Sequence, residues 1–347
     1  MGHPHIDNRT PFAFADVYLQ NEEARPVLVT VVRATYEIAG RLLRVAEVQA
    51  PVPIAGELYG DSPESSSYRY EPEAAFIKLA TDVVLIGHAY SPRVGAHETQ
   101  VTFQVGALSK TVNVLGDRVW VKWAGAVGPS RPEPFEKIPL VYERAFGGVD
   151  KSASTPQAAA VDIRNPVGTG FRAAGSPFEE GVRLPNLEDP SDAVVRYGQV
   201  VPVAGFGFVS SNWEPRASLA GTYDETWMKE RMPLFPKNFD RRFYNAASHG
   251  LVAHGYLQGD EVVHVRGASP AGVLSFKLPA PPRPVCLVSL LRKPDTVIET
   301  RLDTVVVNTD EDKVYMTWRG HLPLKNGPHD VRHVLIETPG LTRHTAR

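Results

Sequence analysis

The sequence predicts a mainly β fold: a single large β-rich body of sandwich or barrel-like sheets, with a long irregular middle segment rich in Pro, Gly and aromatics, and few short helices. Three observations lead there. β-Branched and apolar runs separated by turn residues fill roughly residues 27 to 123. A second set of such runs occupies 251 to 318. Between them, from about 124 to 249, prolines recur too often for a long period to survive, while Phe and Trp stay frequent.

In the first zone, Val27 to Ile38 reads as a strand, Gly40 as its turn and Leu42 to Val48 as a returning partner. Thr99 to Val105 alternates Val101, Phe103 and Val105 with Thr102 and Gln104, and Gly106-Ala107 makes a two-residue turn into Leu108 to Leu115. Glycine at the first turn position suits a type II′ turn, whose twist matches the flanking strands. His3 and His5 read as a loose terminus.

The middle zone is interrupted by Pro139, Pro166, Pro185, Pro202, Pro215 and others, yet Phe135, Phe146, Phe206, Phe235 and Phe239 offer large apolar areas for burial. It reads as ordered irregular structure packed on a sheet, in which proline lowers the entropy of the unfolded chain. One helix is expected, Asp224 to Arg231, started by a capping Thr222 or Asp224 and stopped by Pro233.

The third zone returns to strands at Glu261 to Val265, Val273 to Leu278, Val285 to Leu291, Thr304 to Val307 and Val314 to Trp318, with Asn308 to Asp312 as a turn. Gly327 to Arg347 is polar around a short Val334-Leu335-Ile336 core, and its end is expected to fray. One β-rich domain over 1–347 is the economical division. The alternative takes 1–123 as an N-terminal β region, 124–249 as an irregular aromatic-rich region and 250–347 as a C-terminal β region.

Composition narrows the function classes. With 347 residues, 43% hydrophobic and 22% charged, the chain can bury a core without a metal or disulfide staple. A net charge of −2 and no run of Lys and Arg argue against nucleic acid and anionic membranes. No segment reaches membrane-spanning length and the first sixteen residues lack a signal-peptide pattern, so a cytoplasmic protein is expected. Cys286 is the single cysteine, which excludes an internal disulfide and reads as a buried, inert thiol.

Several constellations invite chemistry. His249, His254 and His264 lie close in sequence but match no ligand spacing, and solvated or hydrogen-bonded imidazoles are the commoner outcome, so no metal is expected. Glu188-Asp189 and Asp224-Glu225, with Trp213, Tyr223 and Trp227 as a sugar platform, suggest a carbohydrate-active enzyme. Against that, adjacent acids usually point apart, and Asn186 to Pro190 reads as a turn. Ser65-Ser66-Ser67 lacks a nucleophile elbow. Gly147-Gly148 and Gly205-Phe206-Gly207 lack phosphate-loop spacing and read as tight turns. No catalytic residue and no cofactor follow. Asn238 to Phe243 offers an Asp to Arg pair that pins a loop, and its Arg and aromatic side chains are also the kinds that protein interfaces favour.

Particular segments add a resemblance. These are Asn8-Arg9-Thr10-Pro11-Phe12, Tyr59-Gly60-Asp61 followed by Ser65-Ser66, Thr81-Asp82-Val83, Gly87-His88-Ala89-Tyr90 and Gly116-Asp117-Arg118-Val119-Trp120. Tyr142 to Gly148, Arg164 to Gly168 and Leu184 to Pro190 follow, then Trp213, Pro215-Arg216, Ala220 to Glu225, Arg231, Pro233-Leu234 and Phe239 to Phe243. Leu302-Asp303-Thr304 and Thr317-Trp318-Arg319 complete the set. Through them the chain resembles the domain of unknown function 2169 family, whose members are encoded beside type VI secretion toxins. It departs from the pattern at Leu234-Phe235-Pro236, where a second Leu is expected.

The resemblance implies a non-enzymatic adaptor or chaperone that binds a toxin effector and loads it onto the spike of VgrG and PAAR-type proteins. It brings no catalytic residues. On that reading Trp213, Tyr223, Trp227 and Phe243 are candidate partner-binding anchors, with Arg216, Asp224 and Arg241 setting polar register. Core packing is the competing reading for the aromatics. The alternatives from other classes are the carbohydrate-active enzyme and a structural component of the spike.

Overall fold

In a computed structural model, residues 4–339 are described apart from 153, 154, 156, 157, 281 and 292. His3 and the fraying expected over 340–347 therefore lie outside the described residues. The fold is mainly β. Its central sheet has six strands, in the spatial order Ala13–Gln20, Pro26–Ala39, Lys313–Pro323, Arg301–Asn308 and Asp82–Ile86, with Leu42–Val45 on the far end of Pro26–Ala39. All neighbours are antiparallel except Asp82–Ile86, which runs parallel to Arg301–Asn308.

Pro26–Ala39 and Lys313–Pro323 are buried on both faces along most of their length, as a sheet covered on both sides requires. One face carries Leu28, Val32, Tyr36, Met316 and Trp318, with Phe12 stacked 6.2 Å from Trp318. A four-stranded sheet lies over that side, ordered His5–Asn8, Val331–Glu337, Val285–Leu290 and Thr296–Glu299. Gly320 has no side chain to hold off Ile298 of this second sheet. Cys286 is buried there, and burial pushes its thiol up to about 11. His5, read as loose from sequence, instead opens a strand pairing in parallel with His333. The other face carries Val27, Val29 and Val31, which pack with Phe76 and Tyr244.

A third sheet of five strands is ordered Leu187–Glu188, Leu108–Leu115, Glu98–Val105, Val262–Arg266 and Val273–Lys277. Its hairpin has the expected register, Leu108 opposite Val105, and φ is +55° at Gly106, with Ala107 outside the positive-φ region, as a type II′ turn demands. Among the described residues the sheets are open and none closes into a barrel. One contiguous core draws on all three sequence zones, from Phe12 through Tyr142 and Trp213 to Ile336.

The described residues of the middle zone hold short strand pairs, 3-10 turns and two short helices, Arg216–Leu219 and Glu225–Glu230. The second helix starts as expected: Asp224 is its N-cap, its Oδ1 accepting from the Trp227 backbone N–H at 2.8 Å. The glycines of this zone differ from expectation. Gly147 lies in the strand Phe146–Val149, where a Cβ would sit 2.3 Å from the Asn165 carbonyl, and one on Gly205 would strike the Tyr142 ring. Close approach of neighbouring chain requires them, not turn geometry.

Candidate functional site

The segment 213–245 gathers all the candidate residues and divides them between the interior and the surface. Trp213 is 1% exposed, with its ring edge-on to Tyr142 at 5.5 Å. Arg216 is likewise buried. Its guanidinium donates to the carbonyls of Val209 and Phe243, both at 2.7 Å, and to Glu71 Oε1 at 2.6 Å. Burial raises the pKa of Glu71, and Arg216 opposes it. Trp213, a candidate anchor, and Arg216, a candidate for polar register, thus both belong to the buried frame beneath the surface. Asp224 is exposed but committed to its helix cap.

Tyr223, Trp227, Phe243 and Arg241 go the other way. Tyr223 is 55% exposed and meets Trp227 with ring centroids 4.7 Å apart. Trp227 is half-buried because its Nε1–H donates to the Leu234 carbonyl at 2.8 Å, closing the chain after the helix back on its start. Met228 and Met232, two of the four methionines in the chain, are 61% and 62% exposed beside them.

Phe235, Phe239, Phe243 and Tyr244 form a run of touching rings, with centroids 4.7 Å apart for the first pair, and 5.7 Å and 5.6 Å from Phe239 to Phe243 and Tyr244. Together with Tyr223, Phe76, Tyr18 and Leu19 they line an open groove of about 840 Å³ along the edge strand of the central sheet. Asp240 caps the 3-10 turn Arg241–Tyr244 and pairs with Arg242 at 2.5 Å, the expected loop pin. Arg241 instead crosses to Glu22 at 2.5 Å and lies over the Phe76 ring at 5.6 Å, tying the aromatic loop to the end of that edge strand. Burial, the largest single influence, would raise Glu22, but the Arg241 hydrogen bond, a backbone hydrogen bond and the Arg241 charge together outweigh it and hold the carboxyl below its ordinary value. Burial, and then Arg241, lower the pKa of His321.

Sequence reasoning missed Tyr18, Phe76 and Tyr244. Tyr18 lies in Ala13 to Gln20, where Asp16 interrupts the apolar pattern, and nothing local distinguishes Phe76.

The acids proposed for sugar chemistry do not face one another across the tryptophans. Glu188 is 2% exposed and accepts from Arg118 at 2.6 Å, while Asp189 turns the chain by accepting from Ser191 N–H at 2.8 Å. A buried ionic cluster elsewhere binds the central sheet to residues 73–82: Arg319 Nε lies 2.6 Å from Asp303, its far end meets Glu73, and Lys78 Nζ lies 3.0 Å from Asp82 and 2.8 Å from Thr304 Oγ1. Each charge in it has a partner. Among the described residues no three His, Cys, Asp or Glu side chains converge as a metal site, and no helix is long and apolar enough to cross a membrane.

Together these features define a mainly β protein whose irregular middle segment carries a preformed aromatic groove. Residues 23–319 match the model of a family described as an uncharacterized protein conserved in bacteria, DUF2169, and the chain belongs to that family. No curated protein and no solved structure matches it.

Proposed function

We propose that the chain is a non-enzymatic adaptor or chaperone, working in the cytoplasm, that holds a type VI secretion effector at the aromatic groove and helps load it onto the VgrG and PAAR-type spike. One observation carries the groove's role in this: Tyr223 stands exposed in a groove lined by a run of touching rings, with exposed Met228 and Met232 in the same segment, on a loop fixed by buried Arg216 and by Arg241. Exposed aromatics and methionines on a rigid base lose little entropy on binding and adapt to an apolar partner. The resemblance to proteins encoded beside secreted toxins supplies the partner class.

Co-expression with neighbouring gene products and affinity purification tests the proposal. The wild-type chain should recover an effector, while Trp227→Ala and Tyr223→Ala should recover less at unchanged melting temperature. Recovery of only assembled spike, before and after firing, would make it a structural component. Glycan hydrolysis abolished by Asp224→Asn with the fold intact would replace the proposal with an enzyme.

A further inference from the structure

A second cavity, of about 1020 Å³, shares no lining residue with the aromatic groove. Its walls are largely apolar, from Leu79, Val203, Val209, Leu219 and Val252. Along one side run three consecutive residues of a single strand, Ser109, Lys110 and Thr111. Alternate side chains of a strand point to opposite faces, so three in a row can border one cavity only where it meets the edge of the strand.

That edge is open. In the hairpin, Val105 and Leu108 flank the two-residue turn and exchange backbone hydrogen bonds, as do Phe103 with Lys110 and Val101 with Val112. Ser109 and Thr111 therefore direct N–H and C=O away from the hairpin. Leu115, of the same parity, donates outward to the Asn186 carbonyl at 2.9 Å. Leu187–Glu188 pairs only with Asn113 and Val114, and Ser109 and Thr111 have no backbone partner on this side among the described residues.

Lys110 shares the inner face with Phe103 and Val112, and its ammonium donates to Ser248 Oγ at 2.6 Å and the His249 carbonyl at 2.9 Å. A lysine that merely guards a sheet edge projects into water; this one folds inward. It makes no ion pair among the described residues, whereas Arg164, Arg216 and Arg242 around the same cavity are matched by Asp162, Glu71 and Asp240.

We propose that this edge accepts an extended polypeptide as an added strand, with a carboxylate of the incoming segment paired to Lys110. The unspent N–H and C=O groups fit a backbone, the apolar walls fit its side chains, and the unmatched ammonium fits an acid. The site lies beyond the adaptor reading and does not rest on it. Burial pushes Lys110 down to about 8, with Asp189 opposing. The other titratable groups around the cavity are Tyr142, Glu214, whose carboxylate is held by Ser218 at 2.8 Å, and His249 and His254. Affinity for an acidic segment should thus fall as pH rises through about 8.

The test uses the full chain and two fluorescein-labelled octapeptides of alternating Val and Thr, one with a central Glu and the other with Gln there. The Glu peptide should bind about ten-fold more tightly, a difference absent in Lys110→Met. Its binding should slow hydrogen exchange at the Ser109 and Thr111 amides. Thr111→Pro removes one outward donor and spares the hairpin's backbone bonds, and should weaken both peptides relative to Thr111→Val, which loses the same hydroxyl contact to Thr102 but keeps the donor. Equal binding of the two peptides, binding of neither, or unchanged exchange at both amides overturns the proposal. So does decanoate displacing the peptide without protecting those amides, which makes the cavity a small-molecule site.

Discussion

Trp213 and Trp227 look alike as candidates in the sequence and diverge in the fold. What separates them is distant: Tyr142 and the Phe206 region enclose Trp213, while Trp227 has only Tyr223 and its own loop. Trp213→Ala should cost about 3–5 kcal/mol, as large-to-small changes in a packed core do, and Tyr223→Ala within about 0.5 kcal/mol. Urea unfolding measures both, and similar losses for the two would contradict the division. A second residue sets a pH dependence. Asp150 accepts from Arg172 at 2.6 Å and from the N–H groups of Ser152 and Ala173, both at 2.9 Å. Burial alone would raise its pKa, but the donors, Ser176 foremost, outweigh it and hold the group far below the usual carboxylate range. A depressed folded pKa contributes stability in full above the unfolded value near ~3.9 and loses it as pH falls below that. Asp150→Asn should therefore lower Tm at pH 7, and the gap to wild type should narrow in melts taken progressively below about pH 4. A constant gap would refute this.

Elements whose partners are local were legible, and the others were not. The Glu98–Leu115 hairpin and the capped helix at Glu225–Glu230 each declare themselves within their own short stretch of chain, through alternation, a turn glycine and an N-cap. Ala13–Gln20 was passed over because an edge strand with Asp16 inside it and every residue but the last half-buried shows no clean pattern. Asp82–Ile86 is wholly buried, yet its partner Arg301–Asn308 lies more than two hundred residues on, where no periodicity can point. The groove was half legible for the same reason: Tyr223 and Phe243 stood out, but Tyr18 and Phe76 join only through the tertiary fold. The helix supports a local prediction. Asp224→Ala should cost about 1 kcal/mol, read as faster amide exchange over 227–231 with exchange in the central sheet unchanged. Equal acceleration in both places would show that the helix is integral to the global unit.

Across the whole molecule, the segments that carry the family resemblance interlock through buried polar contacts. Arg118 meets Glu188, Asn186 meets Asp117, Asn165 holds the carbonyls of Tyr142 and Phe146, and Arg319 meets Asp303. Spacing alone cannot foresee pairs such as Arg118 with Glu188 or Asn186 with Asp117, which join stretches about seventy residues apart. Removing one partner strands the other in a medium of low polarity. Arg319→Leu, which leaves Asp303 and Glu73 without their cation, should cost about 3–5 kcal/mol by urea unfolding. A near-neutral result would show that water reaches the cluster. The ladders matter for synthesis as well. Pro26–Ala39 finds its main neighbour in Lys313–Pro323, and His5–Asn8 lies beside Val331–Glu337. A chain still emerging from the ribosome can make the hairpins but cannot finish either sheet, so its early strands wait, half-covered, for the late ones to be translated. Premature termination anywhere before Lys313 would leave those surfaces bare and mark the product for degradation.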